Sequence, residues 1–213
     1  MKKLFYIYTN PRFITALYDP VMARAFDSNP LVDVTFLLDQ SILKDTLAND
    51  VIPTASVEIR LGRLIRNCQE AGADCVVVGC TAMNLATNKL ASQFPIPVIS
   101  VDEPMVQKIA DDNRKSVAIL THADDNGETI RRRLSSLNIN SKVFVVPGAK
   151  QAMGNREALA ECFEACAGSL SPEFDCIALG HISADEIPLK DTSLPVYRSG
   201  QACVEEINRI LIL

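Results

Sequence analysis

Short apolar runs alternate along the chain with longer segments in which apolar residues recur every three or four positions. An apolar run bounded by turn residues predicts a buried strand, whereas the helical period predicts an amphipathic helix. The segment Ala55–Ala71 shows the helical period most clearly. Its apolar stripe is formed by Val57, Leu61, Leu64, Ile65 and Cys68. Such alternation of strand and helix is typical of a parallel sheet covered by helices.

The predicted elements run the length of the chain. Strands are predicted at Lys3–Tyr8, Val32–Leu38, Cys75–Val78, Pro97–Val101, Ser116–Leu120, Lys142–Val146, Cys176–Leu179 and Pro195–Tyr197. Helices are predicted at Arg12–Phe26 with an interruption near Pro20, and at Ala55–Ala71, Ala82–Ser92, Pro104–Asp111, Gly127–Leu137, Asn155–Gly168 and Gly200–Leu211. A weaker helical stretch follows His181. The order of elements restarts after Asp111.

Two segments of the chain align without gaps and share an Asp, a Cys and a Gly at equivalent positions. Residues 73–82 read Ala-Asp-Cys-Val-Val-Val-Gly-Cys-Thr-Ala, and residues 174–183 read Phe-Asp-Cys-Ile-Ala-Leu-Gly-His-Ile-Ser. Each is an apolar strand that ends in glycine and then in a residue with acid/base chemistry, Cys80 in one and His181 in the other. The constant offset, 181 − 80 = 101, indicates an internal duplication.

The predicted fold is therefore α/β, with two pseudo-symmetric lobes. Each lobe is a mainly parallel four-stranded sheet flanked by helices, with the active site in the cleft between the lobes. Residues 1–100 plus 200–213 form the first lobe and residues 101–199 the second. A single doubly wound sheet is the alternative. In either fold, ligands bind beyond the carboxyl ends of the strands, where Cys80 and His181 both lie.

Charge and hydropathy narrow the functional class. The formal net charge of −5, with no compensating basic patch, argues against a nucleic-acid partner. No apolar run reaches the roughly 18–20 residues of a membrane span, and the run at the first strand is too short for a signal peptide. We expect a cytoplasmic protein whose partner is a small molecule.

The seven cysteines do not follow a metal-binding spacing. Cys162 and Cys166 share a helix face, but no second Cys or His pair accompanies them, so the pattern does not favour zinc or another metal. In a reducing compartment most of these cysteines are expected to be small buried hydrophobes. Cys80 is the exception.

Cys80 is predicted where a strand turns into a helix, and a helix N-terminus lowers the pKa of a thiol. Taken alone, Cys80 would more readily be interpreted as a buried cysteine at a strand end, and it is the repeat that favours a catalytic role. His181 has the same setting and can serve as acid or base near neutral pH. We expect its pKa to be lowered, keeping the ring neutral; the alternative is a polar residue bonded to the backbone. His122 is either a surface loop residue or part of the active-site rim.

The chain resembles the aspartate/glutamate/hydantoin racemase superfamily over nearly its whole length. The resemblance rests on the two α/β halves, on Val77-Val78-Gly79-Cys80-Thr81-Ala82 and on Leu179-Gly180-His181. It implies cofactor-independent chemistry at the carbon next to a carboxylate, with a small-molecule carboxylate substrate and a homodimer as the candidate assembly. Two cysteines on opposite faces of that carbon exchange the proton in typical members.

This sequence departs from the two-thiol pattern because His181 stands at the second cysteine position. A Cys80/His181 pair could exchange protons as two thiols do. In direct contact, the two side chains could instead form a thiolate–imidazolium pair suited to nucleophilic chemistry.

Several polar residues lie beside the same strand ends and are candidates for binding a carboxylate or an enolate. Each could equally cap a helix. The candidates are Asn10, Thr81, Thr121, Ser183 and, more weakly, Asn84.

The sequence thus predicts a racemase- or isomerase-type enzyme acting next to the carboxylate of a small acid, amino acid or hydantoin. Cys80 and His181 would be its opposed acid/base groups. One alternative is a ligand-binding or regulatory protein on the same scaffold. Another is a Cys80-dependent lyase, decarboxylase or hydrolase.

Overall fold

The computed structural model describes residues 1–12, 14–122 and 124–212, and their side chains except those of residues 16, 17, 19 and 124–126. Contacts divide the chain into two units. Unit 1 comprises Met1–Pro104 and Gly200–Leu213, and unit 2 comprises Met105–Ser199. Among the described residues, no helix combines the length and the apolar character that crossing a bilayer requires.

Unit 1 contains a four-stranded parallel sheet in the order β2-β1-β3-β4. Its strands are β1 (Lys2–Tyr8), β2 (Val32–Leu38), β3 (Cys75–Val78) and β4 (Val98–Ser100). Its helices are a π-helical segment (Ile14–Met22), α1 (Ala23–Phe26), α2 (Gln40–Leu47), α3 (Ala55–Glu70), a 3-10 turn (Thr81–Met83) and α4 (Asn84–Ala91). Helix α5 (Glu103–Asp111) continues into unit 2.

Unit 2 repeats this plan with a parallel sheet in the order β6-β5-β7-β8. Its strands are β5 (Ser116–Thr121), β6 (Asn140–Val145), β7 (Cys176–Leu179) and β8 (Val196–Tyr197). Its helices are α6 (Asp124–Ser136), α7 (Ala149–Ala152), α8 (Arg156–Gly168) and a 3-10 turn (Ile182–Ala184). Apart from its first residue, α9 (Ser199–Leu211) belongs to unit 1. The predicted α/β class with two parallel four-stranded sheets is confirmed.

The predicted apolar stripe of α3 packs on the unit 1 sheet. Val57, Leu61, Ile65 and Cys68 are fully buried, and Leu64 packs against the same cluster. Thr54 caps the start of the helix, and its hydroxyl accepts a hydrogen bond from the backbone N–H of Val57. The core of unit 1 is thus built by one helix face against β1 and β3, which are buried along their apolar residues.

The repeated aspartate has a structural role in both units. Asp74 accepts a hydrogen bond of 2.8 Å from the backbone N–H of Lys3. Asp175 accepts one of 2.7 Å from the N–H of Lys115. Each carboxylate therefore ties the start of the central strand to the turn before its neighbour. In the resulting parallel register, Cys80 and His181 follow the other, carboxyl ends of β3 and β7.

Candidate active site

Cys80 lies one residue beyond Gly79, at the carboxyl end of β3, and begins the 3-10 turn. Gly79 allows the close approach of β1, because a Cβ there would lie 2.5 Å from Cε1 of Tyr8. The N–H of Gly79 donates to the carbonyl of Ile7 at 2.9 Å. The chain then turns, and the thiol of Cys80 is buried, with 1 % of the residue exposed.

The pKa of Cys80 is raised to about 11, principally because burial penalises the thiolate. The Thr9 hydroxyl and the backbone N–H groups of Ala82 and Met83 lower this pKa, while the carboxylate of Asp102 raises it. The predicted lowering of the Cys80 pKa is therefore wrong. The amides act in the expected direction, but burial has the larger effect. The resting group is therefore a thiol, and the Thr9 hydroxyl beside it is buried without a hydrogen-bond partner among the described residues.

Asn84 and Asp102 form a second buried feature of unit 1. The Asn84 amide nitrogen donates a hydrogen bond of 2.8 Å to the Asp102 carboxylate. Asp102 is fully buried and Asn84 is 6 % exposed. The Oδ1 atom of Asn84 and the hydroxyl of Ser100 are buried without a hydrogen-bond partner among the described residues. A ligand with N–H or O–H groups would satisfy these oxygens.

The other two predicted substrate-binding residues of unit 1, Asn10 and Thr81, differ in burial and in their contacts. Thr81 is buried as the first residue of the 3-10 turn. Asn10 is half-buried, and its Oδ1 accepts a hydrogen bond of 3.0 Å from the backbone N–H of Arg12. Asn10 thus binds the backbone two residues further on, which agrees with the alternative prediction that it caps a helix. A substrate-binding role for Asn10 and Thr81 stays a prediction.

His181 occupies the corresponding place in unit 2, one residue beyond Gly180 at the end of β7. Its backbone resembles that of Cys80: φ and ψ are −155° and 137° for His181 and −147° and 115° for Cys80. Nδ1 of His181 accepts a hydrogen bond of 3.0 Å from the backbone N–H of Ser183. The Ser183 hydroxyl lies 2.6 Å from the same nitrogen. Ser183 therefore contacts His181 through both its backbone and its side chain.

The pKa of His181 is lowered to about 3, chiefly because the ring is buried and secondarily because His122 is near. The predicted direction is correct, although burial and not the helix terminus is the main cause. The His122 ring packs edge to face on the His181 ring, with centroids 4.1 Å apart and an interplanar angle of 82°. The pKa of His122 is itself lowered, by burial and then by Lys150.

Thr9 and His122 are related by the registers of the two sheets. Ile7 pairs with Val78, and Leu120 pairs with Leu179, so Thr9 and His122 each stand two residues past an equivalent pair. Thr9 lies beside Cys80 and His122 beside His181. Thr9 is not among the site residues predicted from the sequence. Aligning the strands that precede the two repeats would have found it, because Thr9 and His122 are equivalent there.

Thr121 ends β5 and is fully buried. A Cβ at Gly180 would lie 3.1 Å from Cβ of Thr121, so the residue sits at the same strand end as His181. A separate cavity of about 710 Å³ lies against β6 and α8 and contains none of the predicted site residues. Within unit 2, His122 and His181 meet at the strand ends and not at this cavity.

A comparison of the sequence with models of known protein families identifies its family. The Asp/Glu/hydantoin racemase model matches residues 22–207. The chain belongs to the Asp/Glu/hydantoin racemase family. Membership of this family indicates that the protein is an isomerase of the racemase type, as the sequence around Cys80 implied. No curated protein sequence gives a significant match.

Solved structures of racemases and of a decarboxylase share the fold at low sequence identity. An aspartate racemase homologue from Pyrococcus horikoshii aligns with a TM-score of 0.71 at 14% identity, over 100% of both chains. Glutamate racemase from Thermus thermophilus aligns with a TM-score of 0.67 at 16% identity, over 99% of this chain and 80% of that one. Unliganded arylmalonate decarboxylase aligns with a TM-score of 0.65 at 17% identity, over 99% of this chain and 93% of that one.

Proposed function

We propose that this protein transfers a proton at the carbon next to the carboxylate of a small acid, amino acid or hydantoin, without a cofactor. Cys80 is the acid/base group of the proposal. The supporting observation is the position of this cysteine: it follows β3 at the carboxyl end of the strand, is 1 % exposed, and lies beside the Thr9 hydroxyl, which has no hydrogen-bond partner among the described residues and can donate to a thiolate. A thiolate formed during turnover is thereby stabilised, although the thiol is the resting form.

A decarboxylation is the second candidate. Of the two equivalent positions, Cys80 holds a thiol and His181 does not, and the pKa of about 11 keeps that thiol protonated at neutral pH. In a decarboxylation the bond between the α-carbon and one carboxylate breaks and carbon dioxide leaves. The remaining electron pair forms an enolate whose carbon takes the proton from Sγ, and solvent then reprotonates the thiolate. One proton donor is sufficient for this sequence of steps.

Incubation in D₂O with a panel of amino acids, hydantoins, maleate and malonates tests both candidates. Deuterium exchange with loss of optical activity supports a racemase. Release of carbon dioxide with one deuteron incorporated supports a decarboxylase. We expect Cys80→Ala to abolish either activity. Cys68→Ala, which changes a buried cysteine on α3, is the matched control and should keep it.

The same panel of compounds distinguishes the remaining alternatives when thermal stability and protein mass are measured. A binding or regulatory protein would be stabilised against heat by a panel compound without turning it over. A thiol hydrolase would show an acyl adduct on Cys80 by mass spectrometry. Exchange that persists in Cys80→Ala would remove Cys80 from the proposed chemistry.

A further inference from the structure

Two of the seven cysteines, Cys162 and Cys166, lie on one face of α8 and line the cavity of about 710 Å³ against β6 and α8. Side chains four residues apart on a helix are neighbours, with Cβ atoms about 5–6 Å apart, so the two thiols can bind one common atom. Both cysteines are half-buried, whereas the other five are buried. These are therefore the two thiols that a solute reaches most easily, and the function proposed above uses neither.

The backbone that carries the two thiols is well anchored. The buried side chains of Leu159, Phe163 and Ala167 hold the other face of α8 in the core of unit 2. The carbonyl of Cys166 accepts hydrogen bonds from the backbone N–H of Ser169 at 3.1 Å and from its hydroxyl at 2.8 Å. The last turn of the helix is thereby closed, and α8 presents the two cysteines from fixed positions.

The rest of the cavity is mainly apolar, although the exposed Glu161 contributes a carboxylate. Its apolar lining consists of Val143, Phe144, Val145, Pro147 and Ala165. Such walls offer few oxygen ligands to an ion. The volume is within the range of sites that hold a small organic ligand, about 300–1,000 Å³. The cavity therefore combines two sulphur donors with room for an apolar group.

The donor set excludes a structural zinc site. Among the described residues, no group of three or more His, Cys, Asp or Glu side chains is arranged to hold a metal ion, and structural zinc takes four such ligands. Two thiolates suit a soft centre of low coordination number, because thiolates select monovalent copper over harder ions. A trivalent arsenical with one organic group also takes two sulphur ligands. The spacing of Cys162 and Cys166 did not favour a metal by itself, and it is the cavity that gives the pair a ligand.

We propose that Cys162 and Cys166 form a dithiol site for a thiophilic centre with two sulphur ligands, either monovalent copper or a trivalent arsenical with one organic group. Each thiol loses its proton as its sulphur bonds to the centre. Copper releases two protons to solvent, and an arsonous acid, R–As(OH)₂, releases two water molecules. The oxidation state of the centre does not change. The apolar lining, including the Phe144 ring, accommodates the organic group of the arsenical.

Titration of the reduced protein with phenylarsonous acid, followed by native mass spectrometry, tests the site. We expect one arsenical per chain, bound with loss of two water molecules. The affinity should fall at least about 100-fold in Cys162→Ala and in Cys166→Ala. Alanine has the highest helix propensity, so both variants should keep α8. Cys68→Ala, which changes a buried cysteine on α3, is the control and should bind as the parent does.

The bare ion is tested on the same variants, with monovalent copper in anaerobic competition against bicinchoninate. Ala165→Leu narrows the cavity and keeps both thiols. It should weaken phenylarsonous acid about 10-fold and leave the affinity for copper within about 3-fold. Equal weakening of the two ligands would refute a place for the organic group.

The test does not depend on the activity proposed for Cys80. A ligand whose affinity is unchanged by the loss of either cysteine is not bound by the pair. If neither ligand binds the parent, or if neither is weakened in Cys162→Ala and Cys166→Ala, the proposal is overturned. The two cysteines are then only small apolar residues that pack against the core.

Discussion

The amide of Asn84, at the start of α4, donates a hydrogen bond of 2.8 Å to the buried carboxylate of Asp102, which follows β4. This contact joins two chain segments that border Cys80. Because Asp102 is fully buried, its charge depends on such donors. The pair therefore links the stability of unit 1 to the electrostatics of the candidate catalytic thiol.

Asn84→Ala should lower the free energy of unfolding by about 2 kcal/mol, because it removes a donor from a buried carboxylate. Asn88 on the same helix donates to Glu103 at 2.7 Å, but in a partly exposed setting. Asn88→Ala is the matched control and should cost less than about 1 kcal/mol. Urea unfolding of both variants measures the difference. Equal losses would show that the burial of Asp102 does not strengthen this contact.

Alkylation of Cys80 should be slow at pH 7 and should rise about tenfold per pH unit toward pH 9. With a pKa of about 11, only about 10⁻⁴ of the thiol is ionised at pH 7. Mass spectrometry of the Cys80 peptide after iodoacetamide treatment gives the rate. The slope against pH, not the absolute rate, is the test, because burial also limits access. A plateau below pH 8 would contradict the raised pKa.

Asp102→Asn should speed this alkylation at a fixed pH, because removal of the carboxylate lowers the pKa of Cys80. Glu103→Gln makes the same charge change one residue further along and should leave the rate unaltered. If both variants accelerate the reaction equally, the effect comes from net charge and not from the position of Asp102.

The glycines before Cys80 and His181 are required by close packing. A Cβ at Gly180 would lie 2.9 Å from Cγ2 of Ile119, and one at Gly79 would lie 2.5 Å from the Tyr8 ring. We expect Gly79→Ala and Gly180→Ala each to destabilise the protein by about 1–3 kcal/mol. At Gly168 nothing among the described residues lies within 4 Å of an added methyl. Gly168→Ala is thus the control and should not destabilise.

Most strands could be predicted because their apolar runs are bounded by turn residues. The bounds of β2, β3 and β7 match the prediction to the residue. Helix α2 was missed because only Ile42 and Thr46 of its residues are buried, so no apolar stripe marks it. The stretch after His181 forms a 3-10 turn and not a longer helix.

The charge state of the site could not be predicted from local sequence. A strand-to-helix turn suggests a thiolate at Cys80, but the surrounding core decides how much water reaches the sulphur. Tertiary packing buries Cys80, and burial outweighs the nearby amides. The sequence likewise left His122 open between a surface loop and the active-site rim, and the structure packs its ring against that of His181. Such contacts depend on strand register, which the repeat alone does not give.

Acid should destabilise the protein through His181. Its pKa is about 3 in the folded state and about 6.5 when unfolded, so the unfolded chain binds the proton more readily. The contribution of the neutral ring is therefore complete above pH 6.5 and is lost as the pH falls toward 3. At pH 5 the expected loss is about 2 kcal/mol.

His181→Gln should remove this dependence, because the amide does not titrate. Urea unfolding at pH 7 and at pH 5 measures it, and the difference between the parent and His181→Gln should change by about 2 kcal/mol between the two pH values. His122→Gln is the comparison variant. His122 also has a lowered pKa but is less buried than His181. Its substitution should therefore remove a smaller part of the loss of unfolding free energy between pH 7 and pH 5. Parallel pH responses in the parent and His181→Gln would mean that the ring is not held neutral by the fold.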